Sequence, residues 1–251
     1  MAMMQSYLSI DGIRAVLVLF FAVAQAAMAY WPEIRGWQNT IASRSQKLDT
    51  LVVPFGPFFA IWVVIFLSCF GFAFWHGLPG NLTDYTLRRV GWLAVILFAT
   101  NTLWEYYVLK RGFDWGSVAI ISSELILAVS AVWLSSATNN VEGVAFWLGR
   151  APLYFFAGWV SVAAFTNLSS TLLMYNSGLD PNGRKGAVLL ICIASIVATT
   201  VAGASSSIVF AVAAAWGFLG IAYGARTKQE TEVAVLSLCA SMAVLGSSRM
   251  F

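Results

Sequence analysis

Eight stretches of this sequence are apolar for about the length a helix needs to cross a bilayer, and little separates them. Crossing the hydrocarbon takes about 20 residues, with a range of roughly 17 to 25. The runs fall near 13–32, 54–76, 90–109, 117–136, 151–175, 186–203 and 207–225, with a marginal eighth at 232–248. Without water to satisfy backbone polar groups, runs of this length with no strict alternation must be helical. The fold class expected is therefore all-α, a polytopic membrane helix bundle.

Composition agrees with that reading. Hydrophobic residues make up 60% of the 251 positions and charged ones only 10%, outside the range of soluble domains. The net charge of +3 is scattered through short loops with no basic stripe, so nucleic acid is not an expected partner. Cys69, Cys192 and Cys239 lie in apolar runs without close spacing, and His76 is the single histidine, so no zinc or bis-histidine haem site can be assembled. The first run follows Arg14 and contains "AQA" and "AMA", which look like cleavage sites, but we read it as a membrane helix.

Turn signals occupy the connections: "GLPGN" near 80, "SATNN" near 138 and "NSGLDPNGRK" near 180. Loop 33–52 is the longest and is polar, so it is expected to fold over one mouth of the bundle as a lid. "GASSS" (203–207) is so short a break that spans six and seven should form a tight hairpin. Loops on the side of 33–52 carry more Lys and Arg (Arg35, Arg44 and Lys228 among them) than the other side, which holds Arg14, Arg88, Arg89, Arg150 and Arg249. The positive-inside rule then puts loop 33–52 inside.

Three helices carry marked faces. In "GWVSVAAFTN", Trp159, Ala163 and Asn167 recur at i, i+4, i+8 and drift only about 80° along one stripe. In "PFGPFFAIWVVIF", Phe55, Phe59, Trp62 and Phe66 line one side, with Phe58 on the flank. In "NTLWE", Asn101 and Trp104 lie one turn apart, with Glu105 beside them. Aromatic stripes usually pack, and membrane amides serve as glue between helices, but the same faces would suit a flat apolar ligand with polar edges. Trp31, Trp75, Trp92, Trp133 and Trp147 fall near span ends, as an interfacial belt predicts, which leaves Trp62, Trp159 and Trp216 as mid-span exceptions.

Two carboxyls also stand out, because an ionisable residue within a span is a functional hypothesis by default. Counted outward from the short loop near Phe113, Glu105 lies about 12 Å deep and Glu124 about 16 Å, at a rise of roughly 1.5 Å per residue. They belong to adjacent antiparallel helices and reach similar depth. No basic partner is found mid-membrane.

Together these motifs resemble the tryptophan-rich sensory protein family (TspO/MBR), which includes the mitochondrial translocator protein or peripheral benzodiazepine receptor. Its last helix reads W-V-S-x-A-x-x-x-N, matched by Trp159, Val160, Ser161, Ala163 and Asn167. Its second helix has prolines, then F-x-x-x-W-x-x-x-aromatic, matched by Pro54, Phe58, Trp62 and Phe66; its third has N-x-x-W, matched by Asn101 and Trp104. The resemblance covers about residues 10–176. It implies a TspO-like five-helix core over 1–176 with loop 33–52 as lid, followed by two or three additional transmembrane helices over 177–251. The chain departs from the pattern in those extra helices, in Glu105, and in the distance from Pro152 to Trp159.

What the resemblance implies for function is a pocket between helices for a porphyrin or other tetrapyrrole, a sterol or a related lipophile; a carotenoid would suit the same ring-lined surfaces. Phe58, Trp62, Phe66, Asn101, Trp104, Trp159, Ala163 and Asn167 are the candidate binding residues. A sensory or translocator-like role in a bacterial inner membrane or an organelle membrane is expected, with membrane lipids and a homodimer or membrane-complex partners around it. Porphyrin turnover has been proposed for the family, but no Ser-His or Cys-His constellation can be named here, so no enzyme is expected. Two other readings remain. One is a non-catalytic structural subunit packing around pigments or lipids in a larger assembly; the other is a proton-linked small-solute transporter resting on Glu105 and Glu124.

Overall fold

The computed structural model describes residues 9–137, 141–176 and 178–248, and it is all-helical, with no strand among them. Part of the "SATNN" turn signal and Arg249 lie outside the described residues. The helices are α1 (Ile10–Ile34), α2 (Ile41–Lys47), α3 (Ile61–Gly77), α4 (Tyr85–Arg111), α5 (Trp115–Ser136), α6 (Gly143–Gly149), α7 (Ala151–Met174), α8 (Arg184–Ser205), α9 (Ile208–Thr227) and α10 (Thr231–Ser247). A 3₁₀ turn, Gly56–Ala60, leads into α3. Among the described residues seven segments are long and apolar enough to cross a membrane. At 17 residues α10 is shorter, yet it packs along both α9 and α8.

Local chemistry explains several of the ends. Ser9, Asp84 and Asp114 each accept from a backbone N–H three residues on, capping α1, α4 and α5, and Thr40 with Ser43 forms a capping box for α2. Pro57 enters the 3₁₀ turn early and Pro152 the first turn of α7, where a missing N–H costs least.

The spans close into two groups that share one wall. α3, α1, α4, α5 and α7 contact one another in that cyclic order, and α7 returns to α3. On its other side α7 packs against α9 and α8, and α10 bridges those two. The shared position shows in burial: 78% of the apolar window within Gly143–Met174 is covered by protein, against 33% for Ile10–Ile34. Large apolar residues that face outward, such as Leu67, Phe74, Ile126, Ile196 and Met242, are left for acyl chains.

Two glycines set how close these walls come. A Cβ on Gly158 of α7 would lie 2.2 Å from the carbonyl oxygen of Phe210, so α7 and α9 touch backbone to backbone there. A Cβ on Gly91 of α4 would lie 2.5 Å from His76 and 2.6 Å from Arg14. That second contact belongs to a buried lock at one end of the five-span ring. Arg14 Nε donates to His76 Nε2 at 2.9 Å and Nη2 to the Leu82 carbonyl at 2.7 Å, while Asp11 pairs with both Arg14 and Arg88. The buried guanidinium is thereby paired and hydrogen-bonded, which a charge out of water requires. α1, α3 and α4 are pinned together at this end, so any hollow must open at the other.

Candidate functional site

The hollow does open there. A cavity of about 920 Å³ lies between the C-terminal end of α1, the start of α3, α4, α5 and α7, under the segment 41–49. That falls within the usual range for small-molecule sites, roughly 300 to 1,000 Å³. Its walls include Trp62, Trp104 and Trp159, one indole from each of three helices, so the three rings converge on a common space. Trp62 and Trp159 meet edge to face at 6.0 Å between centroids, and Phe59 meets Trp159 likewise at 5.7 Å. Edge-to-face packing holds the rings in fixed orientations along the wall.

Of the eight candidate residues, the structure puts Trp62, Trp104, Trp159, Ala163 and Asn167 on the cavity wall and leaves Phe58, Phe66 and Asn101 off it. Phe58 differs because the 3₁₀ turn advances about 120° per residue rather than about 100°. Its ring turns away to Trp216 of α9, 4.8 Å between centroids, and Phe59 takes the cavity side. Phe66 is buried behind Trp62 and stacks on it at 5.3 Å with 21° between planes. Asn101 is fully buried and donates to Gln25 Oε1 at 3.0 Å and to Glu105 Oε1 at 3.4 Å.

The polar atoms on the wall divide into satisfied and unsatisfied. Trp104 Nε1 donates to Asn167 Oδ1 at 3.0 Å, and Asn167 Nδ2 donates to Ser117 Oγ at 3.0 Å. Asn167 thus ties α7 to α4 and α5, and the glue role open to a membrane amide is occupied. Trp159 Nε1, by contrast, has no partner among the described residues, although the side chain is 1% exposed. Glu105 lines the cavity at 2% exposure, and its Oε2 is likewise unpartnered. Buried polar groups are nearly always hydrogen-bonded, and these two are exceptions on the cavity wall.

Loop 33–52 covers the mouth. Ile41, Ala42, Ser45 and Gln46 of α2, together with Asp49, form that side of the cavity. The segment is tied down by Arg44 Nη2 donating to the Leu109 carbonyl at 2.9 Å, by Thr50 Oγ1 and Ser169 Oγ at 2.8 Å, and by the Asp49–Lys228 ion pair at 2.7 Å.

Sequence reasoning missed the part of the wall that comes from α9. Gly224, Thr227 and Lys228 line the rim, and Trp216 Nε1 donates to the Phe58 carbonyl at 2.8 Å. Phe55 N–H donates to the Gly220 carbonyl at 2.9 Å, and Phe55 packs on Tyr223 at 4.7 Å. The only signal of this clamp was Trp216, a tryptophan too deep in its span for an interfacial belt.

The chain matches the family model described as TSPO-like protein over residues 14–249, through α8 to α10 as well as the five-span ring. The appended helices therefore fall within the family's own extent, beyond the 10–176 over which the motifs were recognised. No curated protein and no solved structure matches the chain. Seven membrane-length helices and a family match across nearly the whole sequence make this chain a multi-pass integral membrane protein that belongs to the TSPO-like protein family.

Proposed function

We propose that this protein binds a flat lipophilic ligand, of the tetrapyrrole or sterol kind, in the cavity beneath segment 41–49, and that it works as a non-catalytic sensor or translocator. The observation that carries the reading is the convergence of Trp62, Trp104 and Trp159 on one cavity of about 920 Å³ that stays open while its Trp159 N–H and Glu105 Oε2 lack partners. Rings of that size supply broad apolar contact at little cost in side-chain entropy. Ala163, between Trp159 and Asn167 along the α7 stripe, leaves room where a larger side chain would fill the space. The tethers of segment 41–49 would set the rate of entry, and the family membership supports the translocator-like role.

Tryptophan quenching on titration with protoporphyrin in mild detergent tests the reading. Saturable quenching at micromolar ligand is expected, weakened when Trp62 and Trp159 are both replaced by leucine. A flat titration with protoporphyrin and with sterol probes would count against it.

A further inference from the structure

The inner end of the cavity has a charge character that the indoles do not account for. Glu105 presents Oε2 without a partner, and its Oε1 is met only by the long 3.4 Å contact from Asn101. Glu124, 1% exposed on α5, lies within electrostatic reach of Glu105, and both of its oxygens are unpartnered. Among the described residues no Lys, Arg or His forms an ion pair with either carboxyl. Asn101 Oδ1 adds another idle acceptor, whereas the idle donors at or beside the cavity are Gln25 Nε2 and Trp159 Nε1. Acceptors therefore outnumber donors in a place where water competes poorly.

The remaining charges on the wall do not offset this. Glu33 and Asp49 stand toward the mouth, and the single base, Lys228, is engaged by the Asp49 carboxylate at 2.7 Å and the Thr50 carbonyl at 2.8 Å. An anionic head group directed inward would find carboxyls and no free cation. A cationic one would find the unpartnered Glu105 carboxyl oxygen, whose ionised form it would pair, and the half-buried ring of Trp62, which attracts positive charge through its quadrupole.

Resting on the binding role proposed above, we infer that the cavity selects flat lipophiles carrying a protonated amine, with the ammonium donating to Glu105 Oε2 and the ring lying against Trp62 and Trp159. A ligand with carboxylates at one edge, such as a porphyrin, would seat with that edge outward, toward Lys228.

Three pyrene probes of nearly equal size separate charge from ring binding: 1-pyrenemethylamine, 1-pyrenemethanol and 1-pyrenecarboxylate. Binding to the full chain in a neutral detergent is read as tryptophan-to-pyrene energy transfer. The ammonium is expected to bind at least about tenfold more tightly than the carboxylate, with the alcohol between them. Glu105→Gln keeps the side-chain volume and the Asn101 contact and should bring the three affinities within about threefold of one another. Equal affinities in the unaltered protein, or a preference for the carboxylate, would overturn the inference and leave the binding role standing; so would an ammonium preference that persists in Glu105→Gln. Failure of all three pyrenes to bind would overturn both. The order measured on the unaltered protein decides the matter even if Glu105→Gln does not fold.

Discussion

The two groups of helices that share α7 are built from different side chains and reach opposite results. On the side of α3, α4 and α5, α7 meets neighbours through Trp159, Trp62, Trp104 and Phe59, and a hollow remains. On the side of α8 and α9 the buried residues of the facing helices include Ala194, Ala198, Ala211, Ala213 and Ala214, and the backbones close to contact at Gly158. Small residues let helices approach until little space is left, whereas large rings with few rotamers prop them apart. The difference is one of side-chain size more than of hydrophobicity. One helix can therefore serve as the floor of a packed bundle and the wall of a cavity.

The widest disruption should come from Gly158→Leu, which forces α7 off the Phe210 carbonyl. Thermal unfolding in detergent should show a loss of about 3 kcal/mol, with weakened ligand binding as the rim carried by α9 shifts. Trp62→Leu acts on the other side alone: ligand affinity should fall about tenfold with a much smaller change in unfolding temperature, because Trp62 is half-buried against the cavity. Trp216→Phe keeps the ring against Phe58 and removes the hydrogen bond to its carbonyl. That should cost about 1 kcal/mol of stability and shows how far α9 holds the 3₁₀ turn in place. The smallest effect belongs to Arg44→Ala, which frees one tether of segment 41–49 from the Leu109 carbonyl. Stopped-flow quenching should then show ligand release a few-fold faster, at nearly unchanged stability.

Much of this arrangement was legible in the residues. The spans followed from run length, and Trp62, Trp104 and Trp159 could be matched because each sits on a straight α-helical stretch whose period is regular. Phe58 entered the candidate set through the F-x-x-x-W match, although the helical stripe ran through Phe59 with Phe58 on its flank, and it is Phe59 that lines the cavity. Asn167 and Asn101 are as polar in sequence as any ligand-binding amide. Whether an amide faces a ligand or another side chain depends on neighbours distant in the chain, here Trp104, Ser117 and Gln25. The contribution of Gly224, Thr227 and Lys228 was hidden for a related reason: nothing in their local pattern marks a helix end that lies over a site built by residues 57 to 199 positions earlier. Arg14 and His76 are similar, since their pairing across α1 and α3 joins positions 62 apart.

Ala163→Trp probes the hollow itself most directly. The added indole projects into the cavity between Trp159 and Asn167 and replaces empty volume rather than packed atoms. With protoporphyrin and 1-pyrenemethanol as probes, a variant that folds with an unfolding temperature close to that of the unaltered protein and yet binds neither is the expected result. Binding of both probes by Ala163→Trp as tightly as by the unaltered protein would contradict a ligand site among the three indoles.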